Sequence, residues 1–293
     1  MYFLNELFDR YTLPASQWIQ EAVTWLVIHL RPLFIAIRQP IAICLDALDH
    51  FLRATPAVLF LVLLGLIAWS TGGRRLAGWV VAGFLLIGFL GLWDMAMTTV
   101  AMMLTSVIFC ILVGLPLGVL AARSDRFEHA IRPVLDAMQT APTFVYLVPI
   151  VMLFGIGNVP AVLATIVVAL PPMIRLTSLG IREVDPDVVE AGNAFGCTRF
   201  QVLREIQVPL AMPTIAAGIN QALMLSLSMV VIAALIGAGG LGLSVYSGIN
   251  RLDVGMATTA GVAIVVIAIS VDRIGRALSE AQHRNRADNT KGN

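Results

Sequence analysis

The side chains that could ligate a metal, bind phosphate or act as a nucleophile are few and scattered along this sequence. Lysine occurs once, at Lys291, so these 293 residues contain no glycine-rich loop followed by the lysine that would reach nucleotide phosphates. The cysteines and histidines show no disulfide or metal-ligand spacing, and the histidines are expected to be interfacial or solvated: Cys44, Cys110, Cys197, His29, His50, His129 and His283. We therefore predict no catalytic residue, metal or cofactor in this chain.

One stretch, residues 183–209, is polar where both of its neighbours are long and apolar. Asp185 can cap the N-terminus of a short helix there, with Pro186 in the first helical position, where its missing N–H costs no hydrogen bond. Gly196 can supply the left-handed residue that ends this helix.

A second short helix is predicted after that glycine. Thr198 and Gln201 have the spacing of a capping box, in which each residue's side chain accepts from the other's backbone N–H. We expect this helix to stop before Pro209, because a proline ring clashes with the preceding turn. The stretch is thus predicted to be two short helices that meet at Gly196.

Composition places the whole chain in a membrane. It is 58% hydrophobic and 13% charged, and its mean hydropathy of +0.87 would leave a soluble fold with far too much apolar surface in water. The net charge of +1 gives no reason to expect a nucleic-acid partner.

Seven apolar runs are candidates for crossing a bilayer, which takes about 20 helical residues. The first two runs are short and contain glycine, and prolines interrupt several others. Membrane helices tolerate such breaks where neighbouring groups satisfy the freed backbone. The predicted fold is all-α, a polytopic transmembrane helical bundle with seven spans: 54–70, 77–93, 96–121, 137–156, 159–179, 211–236 and 255–272.

The arginines indicate the orientation of these spans, because cytoplasmic loops carry an excess of basic residues. With seven spans, alternate loops and the C-terminal tail fall on one side, and they hold Arg74, Arg75, Arg123, Arg126, Arg132, Arg182, Arg199, Arg204, Arg273, Arg276, Arg284 and Arg286. The polar loop and the C-terminus are therefore predicted to be cytoplasmic, and the N-terminus is predicted to lie outside.

Residues 1–53 are predicted to form amphipathic pieces on the outer side, separated by Pro32 and Pro40. Two apolar stripes at helical spacing support this prediction: Ile19, Val23, Leu26 and Leu30, and then Ile41, Leu45, Leu48 and Leu52. Two roles remain open for this segment. It is either an anchor that lies in the membrane surface, or a scaffold that braces a dimer or receives a binding protein.

The polar loop resembles the cytoplasmic coupling loop of the membrane subunits of ATP-binding-cassette importers. The pattern of that loop is matched by Glu190, Ala191, Gly196, Ile206 and Pro209. Two positions depart from it: Gly192 replaces a third small residue, and Val208 replaces leucine. The resemblance implies that Glu190 contacts an ATPase, that Ala191 and Gly192 permit close approach, and that Gly196 sets the angle of the elbow.

Further segments resemble the permeases that import quaternary amines, over about residues 15–275. They are 135–149, 155–160, 170–175, 209–213, 228–233 and 239–242. This resemblance implies a subunit of an ATP-driven importer for glycine betaine, proline betaine, choline or carnitine, in a bacterial inner membrane. It also implies a homodimer, two cytoplasmic ATPase subunits that hold the ATP and Mg, an external substrate-binding protein, and a core of the methionine-importer type.

That resemblance divides the chain into an external segment 1–53, two peripheral helices in 54–93, a permease core 94–275 with its coupling loop 183–209, and a tail 276–293. Phe144 and Tyr146 flank kinking prolines and are candidates to line the transport pathway, although ordinary helix packing is an alternative for both. The rival function is an ion-coupled secondary transporter of a small osmolyte. Proton-coupled carriers usually have carboxylate or histidine clusters deep in the membrane, and the core spans show no such cluster apart from Asp136, near an end.

Overall fold

The computed structural model describes residues 14–291, with side chains described for Pro14 and for residues 17–277. Within that part of the chain every regular element is a helix, which confirms the all-α prediction. The elements are α1 (Ala15–His29), α2 (Arg31–Ala54), α3 (Ala57–Phe89), α4 (Trp93–Arg123), α5 (Asp125–Thr140), α6 (Thr143–Phe154), α7 (Asn158–Arg182), α8 (Pro186–Ala194), α9 (Arg199–Gln201), a π-helical segment (Val202–Gln207), α10 (Val208–Ala233), a 3₁₀ turn (Ala234–Ile236), α11 (Leu241–Asn250) and α12 (Val254–Lys291).

The α3 segment is a helical hairpin and not one straight rod. Its backbone leaves helical geometry at Gly73, whose φ of 81° and ψ of −177° are essentially restricted to glycine. The ring centroids of Phe60 and Phe84 lie 5.5 Å apart, whereas a straight helix would separate these positions by about 36 Å. The two arms, 57–72 and 74–89, therefore lie side by side and antiparallel.

The hairpin places two short arms where the sequence predicts spans 54–70 and 77–93. Each arm is about 24 Å long, somewhat less than the roughly 30 Å of a bilayer's hydrocarbon core. Among the described residues, five helices are long and apolar enough to cross a membrane when α3 counts once, and two bent helix pairs raise the number to seven.

The N-terminal helices α1 and α2 form one of these bent pairs. They meet at an angle of 72°, beside Pro32 in the first turn of α2. The prediction that Pro40 also separates two pieces is wrong, because Pro40 lies inside α2. The apolar stripe that follows it buries Ile41, Leu45 and Leu52 in the core. The free energy of this burial offsets the backbone hydrogen bond that Pro40 cannot donate, so the helix continues.

The other bent pair is α5 and α6, and here the predicted span 137–156 is wrong as a single helix. The two helices meet at 102°, at Ala141 and Pro142. A residue before proline avoids helical backbone, and Ala141 is extended, with φ −69° and ψ 135°. Since α6 has only 12 residues, it is about 18 Å long and too short to cross a bilayer alone.

At the centre of the bundle α7 packs extensively against both α4 and α10, which also contact each other. Glycines allow the close approach of α4: a Cβ on Gly114 would lie 2.7 Å from the side chain of Met173, and one on Gly118 would lie 2.5 Å from that of Thr177. Small residues at helix contacts are typical of membrane bundles, where close packing replaces the hydrophobic effect.

The break between α10 and α11 is tied to this core by polar side chains. Asn158 Oδ1 accepts from the backbone N–H of Gly239 at 2.7 Å, and Thr99 Oγ1 accepts from that of Leu241 at 2.9 Å. These bonds satisfy backbone groups that the helix break leaves without partners.

Candidate functional site

The polar loop joins α7 to α10 and begins with the helix that its sequence predicts. The Asp185 side chain accepts from the backbone N–H of Asp187 at 2.9 Å and caps α8, with Pro186 in its first turn. Asp185 thus satisfies one of the free N–H groups of the first turn.

The end of α8 is a Schellman motif centred on Gly196. The N–H of Cys197 donates to the carbonyl of Gly192 at 3.1 Å, and the N–H of Gly196 donates to that of Asn193 at 3.0 Å. The φ of Gly196 is +83°, as predicted for the left-handed residue that ends this helix. Nothing lies within 4 Å of a Cβ built there, so backbone conformation alone selects glycine.

The second helix of the loop begins with the predicted capping box. The N–H of Gln201 donates to Thr198 Oγ1 at 3.3 Å, and the N–H of Thr198 donates to Gln201 Oε1 at 2.8 Å.

The prediction that this helix stops before Pro209 is wrong. It continues through the π-helical segment into α10. The N–H of Val208 donates five residues back, to Leu203, in this wider turn. A turn of this kind carries the chain past a residue that has no N–H of its own.

The two loop helices pack against each other through Gly192. Gly192 is buried, and a Cβ placed on it would lie 2.4 Å from Cδ1 of Ile206 and 3.7 Å from Cγ2 of Val202. Gly192 therefore faces the interior of the loop, while Ala191 beside it is exposed. The structure thus places Ala191, but not Gly192, where a partner could approach closely.

The outer face of the loop carries apolar side chains that our sequence reasoning missed. Phe195 is 90% exposed and Phe200 is 62% exposed, and Val188 and Glu190 are also exposed. Two bare aromatic rings on a polar loop are unusual, since exposed apolar clusters commonly mark interaction sites. Spacing gave no signal for either phenylalanine, because the face of the loop that is turned outward depends on how its two helices pack.

Two arginines make contacts in and next to the loop. The Arg123 guanidinium, at the end of α4, donates to the carbonyl of Arg199 at 2.7 Å. Arg182, at the end of α7, pairs with Asp125 and Glu128 of α5 at 2.8 Å each. The first contact joins the middle of the loop to α4, and the second joins the helix end that precedes the loop to α5.

Apolar contacts complete this attachment. Val184 and Leu203 from the loop are buried in one cluster with Ile181 of α7 and Ala211 and Ile215 of α10. Pro209 is partly buried at the start of α10.

Phe144 and Tyr146 occupy different environments on α6. The Tyr146 hydroxyl lies 2.6 Å from the carbonyl of Met138 and 2.5 Å from that of Ala141, so it spans the bend between α5 and α6. Phe144 has no hydrogen-bonding group in its side chain. Phe144 is 59% exposed, whereas Tyr146 is partly buried.

Groups that could hold a metal ion do not occur in the described part of the chain: no three His, Cys, Asp or Glu side chains come together there. The carboxylate of Asp136 is paired with Arg175. Asp272 is paired with Arg276 and accepts from the Asn220 amide at 3.4 Å.

Known proteins similar to this chain are transport subunits. Residues 114–284 match the family described as binding-protein-dependent transport system inner membrane component. The glycine betaine/proline betaine transport system permease protein of Escherichia coli is 50% identical over 92% of this chain and 77% of its own length. The glycine betaine transport system permease protein of Bacillus subtilis is 44% identical over 89% of this chain and 93% of its own.

A solved structure has the same fold over part of this chain. The inward-facing MetNI methionine ABC transporter contains a chain that matches with a TM-score of 0.58 and 23% identity, over 63% of this chain and 92% of that chain. This agrees with the predicted core of the methionine-importer type.

Proposed function

We propose a substrate and a coupling mechanism from the premise that this chain belongs to the family of binding-protein-dependent transport system inner membrane components. The chain is the permease subunit of an ATP-driven importer, and its substrate is glycine betaine or a related quaternary amine. The similar permeases of Escherichia coli and Bacillus subtilis, both named for glycine betaine, support this choice of substrate. Proline betaine, choline and carnitine are the neighbouring candidates.

A quaternary ammonium group has no N–H to donate, so aromatic faces must recognise it through cation–π attraction. On the permease, the exposed Phe144 is our aromatic candidate for the pathway. Tyr146 serves the bend of α5 and α6 through its hydroxyl. Tight recognition is then the task of an external binding protein.

The coupling surface is the outer face of the polar loop, and its exposed pair Phe195 and Phe200 is the observation that carries this proposal. Large aromatic side chains that become buried on binding contribute most of the energy of many interfaces. Glu190 and Ala191 lie on the exposed side of α8, where they add a charge and close approach. A cytoplasmic ATPase with an apolar groove fits this surface.

The loop's attachment explains how movement would reach the bundle. When ATP draws two ATPase subunits together, the outer face moves with them. Arg123 and the buried contact of Leu203 then carry the displacement to α4 and α10. The complex contains two copies of this chain, two ATPases that bind ATP and Mg, and a binding protein outside.

The α3 hairpin bears on which side of the membrane the N-terminal segment occupies. Because its arms lie side by side, either both cross the membrane or neither does, so the end of α2 and the start of α4 share one side in both cases. With the arginine-rich loops in the cytoplasm, that side is the outer one. Residues 1–53 then lie outside as an interfacial segment, and the loop 183–209 and the tail 276–293 lie in the cytoplasm.

The experiment is reconstitution of this chain in proteoliposomes with its cognate ATPase and binding protein. We expect uptake of labelled glycine betaine only when ATP and both partners are supplied, and the chain alone should neither bind nor hydrolyse ATP. Choline, carnitine and proline betaine serve as competitors that rank the substrates.

The same liposomes test the rival function. Uptake by the chain alone, driven by a sodium or proton gradient without ATP, would establish a secondary transporter and overturn the proposal. ATP-driven uptake in which glycine betaine neither is carried nor competes would leave the importer standing and refute its substrate.

A further inference from the structure

A groove of about 730 Å³ runs between the second arm of the α3 hairpin and helix α12. This volume lies within the roughly 300–1,000 Å³ of ligand sites. Its wall is apolar, with Leu76, Trp79, Val266 and Ile269, and two arginines, Arg75 and Arg273, also line it.

The two arginines lie at the same end of the groove. The helices touch where Gly83 meets Val266, since a Cβ on Gly83 would lie 2.6 Å from Cγ1 of Val266. Arg75 is about 12 Å along α3 from that contact, and Arg273 is about 10 Å along α12 from it. Because both arginines line the same groove, their two positive charges lie near each other at one end of it.

Neither arginine has an anionic partner among the described side chains. The neighbouring cations differ: Arg276 is paired with Asp272 at 2.9 Å, and the Arg74 guanidinium lies 5.6 Å from the centre of the Trp69 ring. No carboxylate is among the residues that line the groove. The groove therefore offers two positive charges to an anion whose body is apolar.

We propose that this groove binds an anionic phospholipid, with the phosphate held by Arg75 and Arg273 and an acyl chain along the apolar wall. Trp79 is 80% exposed at the rim and suits the headgroup level of a bilayer. Basic pockets between membrane helices bind anionic headgroups in the same way, with positive side chains placed at the level of the headgroups.

A second copy of this chain fits the groove less well than a lipid. A symmetric contact through the groove would bring Arg75 and Arg273 of one copy close to the same arginines of the other. Like charges without counterions oppose such a contact.

The test measures lipids bound to the full chain by native mass spectrometry, after purification from phosphatidylcholine nanodiscs that contain a minority of phosphatidylglycerol. Arg75→Gln and Arg273→Gln should each lower the retained phosphatidylglycerol about fivefold. The control is Arg74→Gln, which removes the same charge one residue away from the groove and should change little. Equal losses in all three variants would reduce the effect to general surface attraction and overturn the site.

A variant that blocks the groove separates a lipid from a free anion. Ala82 is exposed and lines the groove, so Ala82→Trp fills it and leaves both arginines in place. We expect this variant to lose phosphatidylglycerol with an unchanged melting temperature. Undiminished lipid retention in Ala82→Trp, competition by inorganic phosphate, or a change of oligomeric state instead of lipid content would each refute the proposal.

Discussion

Gly192 and Ile206 pack directly against each other across the elbow of the polar loop. A Cβ on Gly192 would lie 2.4 Å from Cδ1 of Ile206, a distance that real side chains do not adopt without movement. The contact joins α8 to the π-helical segment that leads into α10. Packing at this contact therefore helps to fix the angle between the two loop helices. The left-handed backbone of Gly196 fixes the same angle at the turn.

Enlarging residue 192 should force these helices apart. Gly192→Leu is expected to destabilise the loop by about 1–3 kcal/mol, the usual cost of overpacking, and to abolish import in reconstituted complexes. Gly192→Ala should be milder, because the atom it meets is the flexible end of Ile206.

A compensating substitution makes this prediction specific. Ile206→Ala removes the atoms that a larger residue 192 would meet, so the double variant Gly192→Leu with Ile206→Ala should recover part of the import. Import by the double variant no better than by Gly192→Leu alone would show that the contact does not set the coupling geometry.

At Gly196 the expected defect is conformational. Valine is β-branched and strongly disfavoured at a φ of +83°, whereas asparagine tolerates the left-handed region. Since a Cβ there meets nothing within 4 Å, both substitutions have room. Gly196→Val should keep insertion and some ATPase turnover but lose import, and Gly196→Asn should retain import. Equal transport by the two variants would argue against a role for the left-handed turn.

Local chemistry explains why the loop's ends were predictable. The Asp185 cap, the Thr198–Gln201 capping box and the Gly196 turn depend on residues no more than a few positions apart, so spacing alone identifies them. The direction of Gly192 depends on Ile206, which is brought close only by the elbow. Spacing could not tell that Gly192 faces inward and Phe195 outward.

Helix boundaries at glycine and proline were predicted less well than the ends of the loop. The break at Gly73 falls between the predicted spans 54–70 and 77–93, whereas the predicted span 137–156 runs through the break at Pro142 and misses it. Pro40 and Pro209 do not break their helices, because a buried stripe follows the first and a π-helical turn precedes the second. A proline is thus a weak boundary where tertiary packing or a wider turn offsets its missing N–H.

Phe195 should be the main apolar anchor for the proposed ATPase. Because its side chain is 90% exposed, Phe195→Ala removes little packing within the chain and should leave its melting temperature unchanged. Loss of an anchor that is buried on binding typically costs about 2 kcal/mol, or about thirtyfold in affinity. Titration of the ATPase onto the reconstituted chain measures this loss.

A matched control is Leu252→Ala, which truncates another strongly exposed apolar residue, in the loop between α11 and α12. It lies on the side proposed to be external and should leave ATPase affinity unchanged. Unaltered affinity in Phe195→Ala, or equal weakening in both variants, would move the coupling surface away from the end of α8.

The last prediction concerns the side on which the N-terminal helices lie. The bent pair α1 and α2 passes the length and hydropathy criteria for a span. However, α2 carries Arg31, Arg38, Asp46, Asp49 and Arg53 within 24 residues, and charges in a spanning helix are costly. We therefore expect α1 to lie on the outer surface and not in the cytoplasm.

In a variant with Cys44→Ser, a cysteine introduced at the exposed Gln17 should react in intact cells with a thiol reagent that cannot cross the inner membrane, while native Cys197 in the polar loop should react only after permeabilisation. Protection of position 17 until the membrane is opened would make α1 and α2 a true span and place the N-terminus beside the ATPases.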